Sequence, residues 1–180
     1  MTIYVALLRG VNVGGNKKVS TAELRELATG LKYRNAATLL NSGNIVFEGP
    51  AKATAAMEKQ FEAAAAKTLG LATEFFVRTS AEWQALAKAN PLLKEAKDDP
   101  GHLLLWALKE PATPAALKAL QAAIKGRESF RSGKGALYIT FPDGIGSSKL
   151  TPAVIDRALG TRGTGRNWNT VLKLCAMMES

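Results

Sequence analysis

Cysteine and histidine are almost missing from this chain, which has Cys175 and His102 and no others. An internal disulfide and a His/Cys zinc cluster are therefore excluded. Cys175 lies among Leu172, Leu174 and Met178 in a helix-like run, the setting of a buried, unreactive thiol. His102 opens a strand and reads as structural, and carboxylate-only Mg²⁺ sites have no signature here, so no metal is expected. No apolar run reaches the roughly 18 residues of a membrane span. Met1 leads into a strand-like segment with no charged leader, so the expected compartment is the cytoplasm and no membrane partner is expected. Aromatics make up 7% of the chain, and only Trp168, Tyr33 and Tyr138 are placed as base-stacking candidates, which gives single-stranded nucleic acid little specific support. Acids are also scarce, with 15 Asp and Glu against 24 Lys and Arg, a net charge of +9. That surplus favours anionic partners: phosphorylated small molecules, nucleotides or nucleic acid.

What is present is a chain of 180 residues, 47% hydrophobic, long enough for one good core or two small ones. Ile3 to Leu8 is a continuous apolar run of strand length. Ser20 and Glu23 have capping-box spacing and open a helix with Leu24, Leu27, Ala28 and Leu31 on one face, flanked by a Val19/Leu24 staple. Strands are expected at Ala36 to Leu40 and Ile45 to Glu48, about a turn at Asn41 to Asn44. An Ala-rich helix carrying Met57, Phe61 and Ala65 ends at Gly70, and Thr73 to Arg78 returns as a strand. The order is βαββαβ, a ferredoxin-like split βαβ unit. Thr79 and Glu82 repeat the capping box ahead of a helix with Trp83 and Leu86, which ends by Asn90 and Pro91.

Residues 91–101, with two prolines and a mixed charge run, read as a linker between a first half at 1–90 and a second at 102–180. Leu103 to Leu108 is a strand. Thr113-Pro114 and Thr151-Pro152 each pair an N-cap with proline at N1. A second hairpin is expected about Ser132 to Gly135. The second half reads as βαββα, repeating the first and replacing its last strand with a helix from about Asn167 to Met178. The fold class expected is α+β, two ferredoxin-like halves in tandem, the second ending in helices.

Chemistry concentrates in the loop Arg9 to Lys18. Its glycines, Gly14 and Gly15 among them, let backbone N–H groups face a ligand, and Arg9, Lys17 and Lys18 meet no acid before Glu23. It is not a P-loop, because Gly15 is followed by Asn16 and the lysines by Val19, and it lacks the G-x-G-x-x-G spacing of dinucleotide sites. A right-handed crossover makes the first two strands parallel, so this loop and the Asn41 to Asn44 turn should be neighbours at one sheet edge. Arg9, Asn12, Lys17, Ser42 and Asn44 would then form a pocket rim. Arg166 and Asn167 form a further candidate at the last helix N-terminus, where free N–H groups favour an anion; alternatively Asn167 caps that helix and Trp168 anchors it.

The blocks A-L-L-R-G-V-N-V-G-G at Ala6 to Gly15, N-S-G-N-I-V-F at Asn41 to Phe47, D-P-G-H-L, S-K-L-T at Ser148 to Thr151 and R-N-W-N-T-V at Arg166 to Val171 together resemble the uncharacterised family known as domain of unknown function 1697. Ser20 stands where the family usually has Pro, and Asn41 where it often has Gln. The resemblance implies two ferredoxin-like halves and carries no established activity or cofactor. The leading functional expectation is an anion-binding module using Arg9, Asn12, Gly14, Gly15, Lys17, Ser42, Asn44, Arg166 and Asn167. An enzyme on a phosphorylated substrate, with Ser42 or Lys149 as chemical candidates, is the second; no Ser/His/Asp set or paired carboxylates supports it. The third is a structural protein in which the motif residues are buried and satisfied by one another.

Overall fold

The N-terminal apolar run forms β1 (Thr2–Leu8), buried from Tyr4 to Leu8, in a computed structural model that describes residues 1–12 and 17–179. After it come α1 (Thr21–Gly30), β2 (Arg34–Thr38), β3 (Asn44–Gly49), α2 (Thr54–Leu69), β4 (Phe75–Thr79) and α3 (Ser80–Lys88). The first sheet has the order β2-β3-β1-β4 with every neighbouring pair antiparallel. Tyr4, Ala6 and Leu8 share a core with Ile45, Phe47, Phe75 and Val77 and with Leu24, Leu27, Met57 and Phe61 of the two helices. Rings meet in series within it, Phe47 with Tyr33, Tyr33 with Phe61 and Phe61 with Phe75, with centroids 4.7 to 5.4 Å apart.

The local signals act as the sequence indicates. Ser20 Oγ accepts from Glu23 N at 3.0 Å and Glu23 Oε2 from Ser20 N at 2.7 Å, and Thr79 and Glu82 exchange the same two bonds. Thr113 and Thr151 cap their helices, and Gly70 and Gly160 close theirs in the left-handed conformation.

The expected linker is not a plain connector. Residues 93–98 form α4 (Leu93–Asp98), followed by a 3₁₀ turn at Pro100–His102. Leu, Lys, Glu and Ala are strong helix formers, and none of these six residues is buried. The second sheet then comprises β5 (Leu103–Leu108), β6 (Ser129–Gly133), β7 (Ala136–Thr140) and β8 (Gly163–Asn167), in the order β6-β7-β5-β8, all antiparallel. Its helices are α5 (Pro114–Ala123) and α6 (Pro152–Leu159), and α7 (Trp168–Glu179) ends the chain. Leu104, Trp106, Leu108, Leu137 and Ile139 pack with Leu120, Ile155 and Leu159 as this sheet's core.

β8 corrects the expected βαββα pattern: a strand precedes the last helix. Gly-Thr-Gly-Arg-Asn has neither apolar alternation nor β propensity, so nothing in its own composition marks a strand. Trp106 of β5 supplies the reason. A Cβ on Gly163 would stand 2.1 Å from Trp106 Nε1, and one on Gly165 2.6 Å from its Cε3, so the indole lies across a strand that has no side chains there.

The chain divides into two units, Met1–Gln84 with Leu174–Ser180, and Ala85–Lys173. The boundaries of these units fall inside α3 and α7. The Gln84 amide donates to the Cys175 carbonyl at 3.0 Å, whereas the Leu86 carbonyl accepts from Tyr138 Oη of β7 at 2.6 Å, so adjacent turns of α3 belong to different units. The units repeat particular bonds. Leu8 N donates to Gly43 O at 2.9 Å and Leu108 N to Gly135 O at 3.1 Å; Arg9 N donates to Glu74 O and Lys109 N to Arg162 O; Val5 faces Arg78 as Leu105 faces Arg166. Among the described residues, no helix is long and apolar enough to cross a membrane.

Candidate functional site

β1 and β3 run antiparallel with Leu7 opposite Asn44, which brings the loop after β1 and the β2–β3 hairpin to one edge of the first sheet. Asn12 ties them together. Its Nδ2 donates to Asn41 O at 2.6 Å and to Val19 O at 2.9 Å, and its Oδ1 accepts from Val19 N at 3.0 Å. Its φ of 56° is left-handed backbone, which Asn adopts more readily than most residues. Gly43, at φ 80°, closes the hairpin against the loop, since a Cβ there would be 2.6 Å from Val11 Cγ2 and 2.8 Å from Leu8 Cβ. Only glycine meets both demands.

Around this clamp lies an open depression of about 610 Å³ lined by Asn12, Lys18, Val19, Ser20, Glu23 and Asn41. Lys17 and Lys18 are exposed beside it, Ser42 is exposed on the hairpin, and Arg9 is half-buried. The predicted Gly14 and Gly15 lie outside the described residues. Asn44, predicted at the rim, is instead fully buried, with Nδ2 donating to Leu39 O and Ser42 Oγ at 2.8 Å each. The capping box also changes the electrostatics. Glu23 already places a carboxylate on the first turn of α1, where a bound anion would otherwise profit from the helix dipole. Positive potential at the depression must come from the lysines. Lys18 and Asn41 complete the lining; the sequence marked Lys18 by its charge alone.

Asn12→Ala removes three hydrogen bonds and puts alanine at φ 56°. We expect a loss of about 2.5 kcal/mol, from three part-exposed bonds worth about 0.5 kcal/mol each and about 1 kcal/mol for the left-handed backbone, with faster amide exchange at 17–20 and 39–43. Unchanged protection there would show that Asn12 does not hold the two loops together.

The second candidate group lies in the other unit. Arg166, predicted at the N-terminus of the last helix, is 6% exposed and sits in β8, its guanidinium donating to Thr164 Oγ1 at 3.0 Å and Gly165 O at 2.8 Å. Burial pulls its pKa down to about 10, still charged at neutral pH. Asn167 Oδ1 accepts from Thr170 N at 3.1 Å and so caps α7, and Trp168 is buried. The capping and anchoring reading of these residues holds.

Tertiary structure gathers sequence blocks that the linear reading kept apart. Phe141 N bonds to His102 O, Leu103 faces Thr140 and Leu104 faces Asn167, so D-P-G-H-L, the loop bearing S-K-L-T and R-N-W-N meet at one edge of the second sheet. His102 Nδ1 lies 3.0 Å from Asp99 Oδ2, and Arg127 forks onto Asp143. Ser148 Oγ donates to Glu128 Oε1 at 2.5 Å, which holds that carboxyl below its ordinary range. Lys149 is exposed. Arg9 and Arg166 belong to different units.

A search of curated proteins finds no match. Among solved structures, the chain is similar to a conserved bacterial protein, SP0830 from Streptococcus pneumoniae, at 22% identity and a TM-score of 0.75, with 98% of each chain covered. At that identity the likeness speaks for the fold. A family model described as a protein of unknown function (DUF1697) matches residues 1–138. That match takes in the loop after β1, the Asn41 to Asn44 turn and both sheets through most of β7, and the chain therefore belongs to the DUF1697 family.

Proposed function

We propose that the first unit binds a phosphate-bearing small molecule or nucleotide at the depression between the loop after β1 and the β2–β3 hairpin. The observation that carries this reading is the Asn12 clamp. It holds Asn41 amide chemistry and exposed Lys18 around one open space of about 610 Å³, the size range of small-ligand sites. Lys17 and Arg9 add charge, and Ser42 a hydroxyl. In this reading Asn44, Arg166 and Asn167 hold the fold and do not touch the ligand, and Asn12 holds the two loops together at the wall of the depression. The strand orders and the βαββαβ succession favour two ferredoxin-like units in tandem, whose matching bonds at Leu8 and Leu108 suit a duplication. A cytoplasmic setting, rich in phosphorylated metabolites, accords with it.

Binding is tested by thermal shift with pyrophosphate, ATP and a sugar phosphate at low and high salt. A ligand present at about 100 times its Kd adds about 2.7 kcal/mol of stability. We expect that gain to fall with salt and to vanish in Lys17→Ala/Lys18→Ala, whose exposed side chains leave the fold intact. If no phosphate compound stabilises the protein, or if the double variant responds like the parent, the proposal fails. A nucleic-acid ligand would instead show a steep log–log dependence of affinity on salt.

A further inference from the structure

We propose that the outer edge of β6 is a docking edge for an extended acidic segment of a partner protein, which adds as a strand beside Ser129–Gly133. This rests on the second unit alone and is independent of the ligand proposed for the first.

The direction of each backbone group on β6 follows from two bonds. Phe141 N donates to His102 O, and Leu108 N to Gly135 O. Antiparallel pairs alternate between bonded and non-bonded, so Leu137, Ile139 and Phe141 direct their backbone groups to β5. Ala136, Tyr138 and Thr140 then face β6, opposite Gly133, Arg131 and Ser129. Phe130 and Ser132 are left with N–H and C=O turned away from the sheet. Apart from Phe130, which is half-buried, every residue of β6 is exposed.

Two other edges are closed by the fold. On β4, Phe75 N donates to Glu62 and Val77 N to Glu58, both from α2, while Arg78 covers Val77 O. β2 has its register broken between Arg34 and Ala37, with Asn35 at φ 51°. Such devices prevent strand addition. β6 has a regular five-residue register and one movable cover: the Arg131 guanidinium donates to Phe130 O at 3.0 Å. An incoming strand would replace that bond with its own N–H and release Arg131 to face a carboxylate.

Charge selects the occupant. The second unit holds 14 Lys and Arg against seven Asp and Glu, a net +7 of the chain's +9. At β6 itself Lys125, Arg131 and Lys134 are exposed, while Glu128 is bonded to Ser148 and Asp143 to Arg127. A second copy is disfavoured, because the antiparallel register that pairs Phe130 with Ser132 across the two copies sets Arg131 against Arg131. Arg131 and Phe130 point to opposite faces, and Phe130 packs on the core of the second sheet. The matching segment therefore alternates acidic and apolar side chains.

The test uses the whole chain and a fluorescein-labelled peptide of about ten residues alternating Val and Glu, read by anisotropy, with a Val/Lys peptide beside it. Ser132→Pro removes an outward N–H and leaves the bonds to β7 intact. Arg131→Glu reverses the charge. We expect saturable binding of the Val/Glu peptide, weakened at least tenfold by either variant, and a switch of Arg131→Glu to the Val/Lys peptide. The proposal is overturned by absence of saturable binding, by Ser132→Pro binding like the parent, or by self-association that Ser132→Pro abolishes. Should Ser132→Pro fail to fold, the charge swap decides alone.

Discussion

Gly163→Ala is expected to destabilise the protein by about 3 kcal/mol, the upper part of the overpacking range. The new Cβ would lie 2.1 Å from Trp106 Nε1, 2.6 Å from its Cδ1 and 2.9 Å from the Ala107 carbonyl. Neither obstacle can move far: the indole is 5% exposed in the core of the second sheet, and the carbonyl is backbone of its central strand β5. Reduced freedom of the unfolded chain works the other way, at about 0.4–1 kcal/mol for Gly→Ala, so the clash dominates. Trp106 Nε1 is also buried with no hydrogen-bond partner among the described residues, so a smaller ring at 106 loses no polar contact there. Trp106→Phe should therefore recover part of the loss in the Gly163→Ala background, with a coupling above about 1 kcal/mol in urea titrations. Additive effects of the two substitutions would mean that the indole does not lie on β8.

The second large effect is expected at Glu58. Its carboxylate, on a residue 8% exposed, accepts Val77 N at 2.9 Å and lies 3.5 Å from the Arg78 guanidinium. Glu58→Ala leaves a buried N–H without its acceptor and a shielded arginine without this carboxylate, a cost of about 2–4 kcal/mol. Glu58→Gln keeps a carbonyl for Val77 and should cost about half as much. The edge of β4 opens at the same time, so Glu58→Ala should aggregate with rising concentration while Glu58→Gln does not. Equal stability of the two variants in urea, with equal light scattering, would mean that Val77 gains nothing from the carboxylate.

Both sites show what a linear reading misses. Glu58 is an ordinary helix residue in the sequence, at a position where a charge reads as solvated; its partner is 19 positions away in another element. β8 has the composition of a loop, and its status as a strand depends on an indole from β5. Arg166 carried the signals of an anion site, cationic and next to a helix start, yet its side chain is buried and burial draws its pKa down. Asn44 reads as a turn residue and is fully buried, because its amide satisfies the hairpin's own carbonyl and hydroxyl groups.

Other features needed no tertiary information. The caps at Ser20, Thr79, Thr113 and Thr151, the closures at Gly70 and Gly160, and the apolar faces of α1 and α2 are interactions within a few residues, so spacing reveals them. The meeting of the loop after β1 with the Asn41 to Asn44 hairpin was also legible, because the handedness of the crossover leaves one arrangement. Sequence alone thus determined the order of nearly all elements, the neighbouring loops and the membership implied by the motif blocks. Tertiary structure decided β8, the boundaries inside α3 and α7, and the division of the motif residues into those that hold the fold and those left exposed. The physical reason is range: caps and periodicity act along the chain, whereas burial, backbone satisfaction and the fit of an indole on glycine depend on residues that only folding brings together.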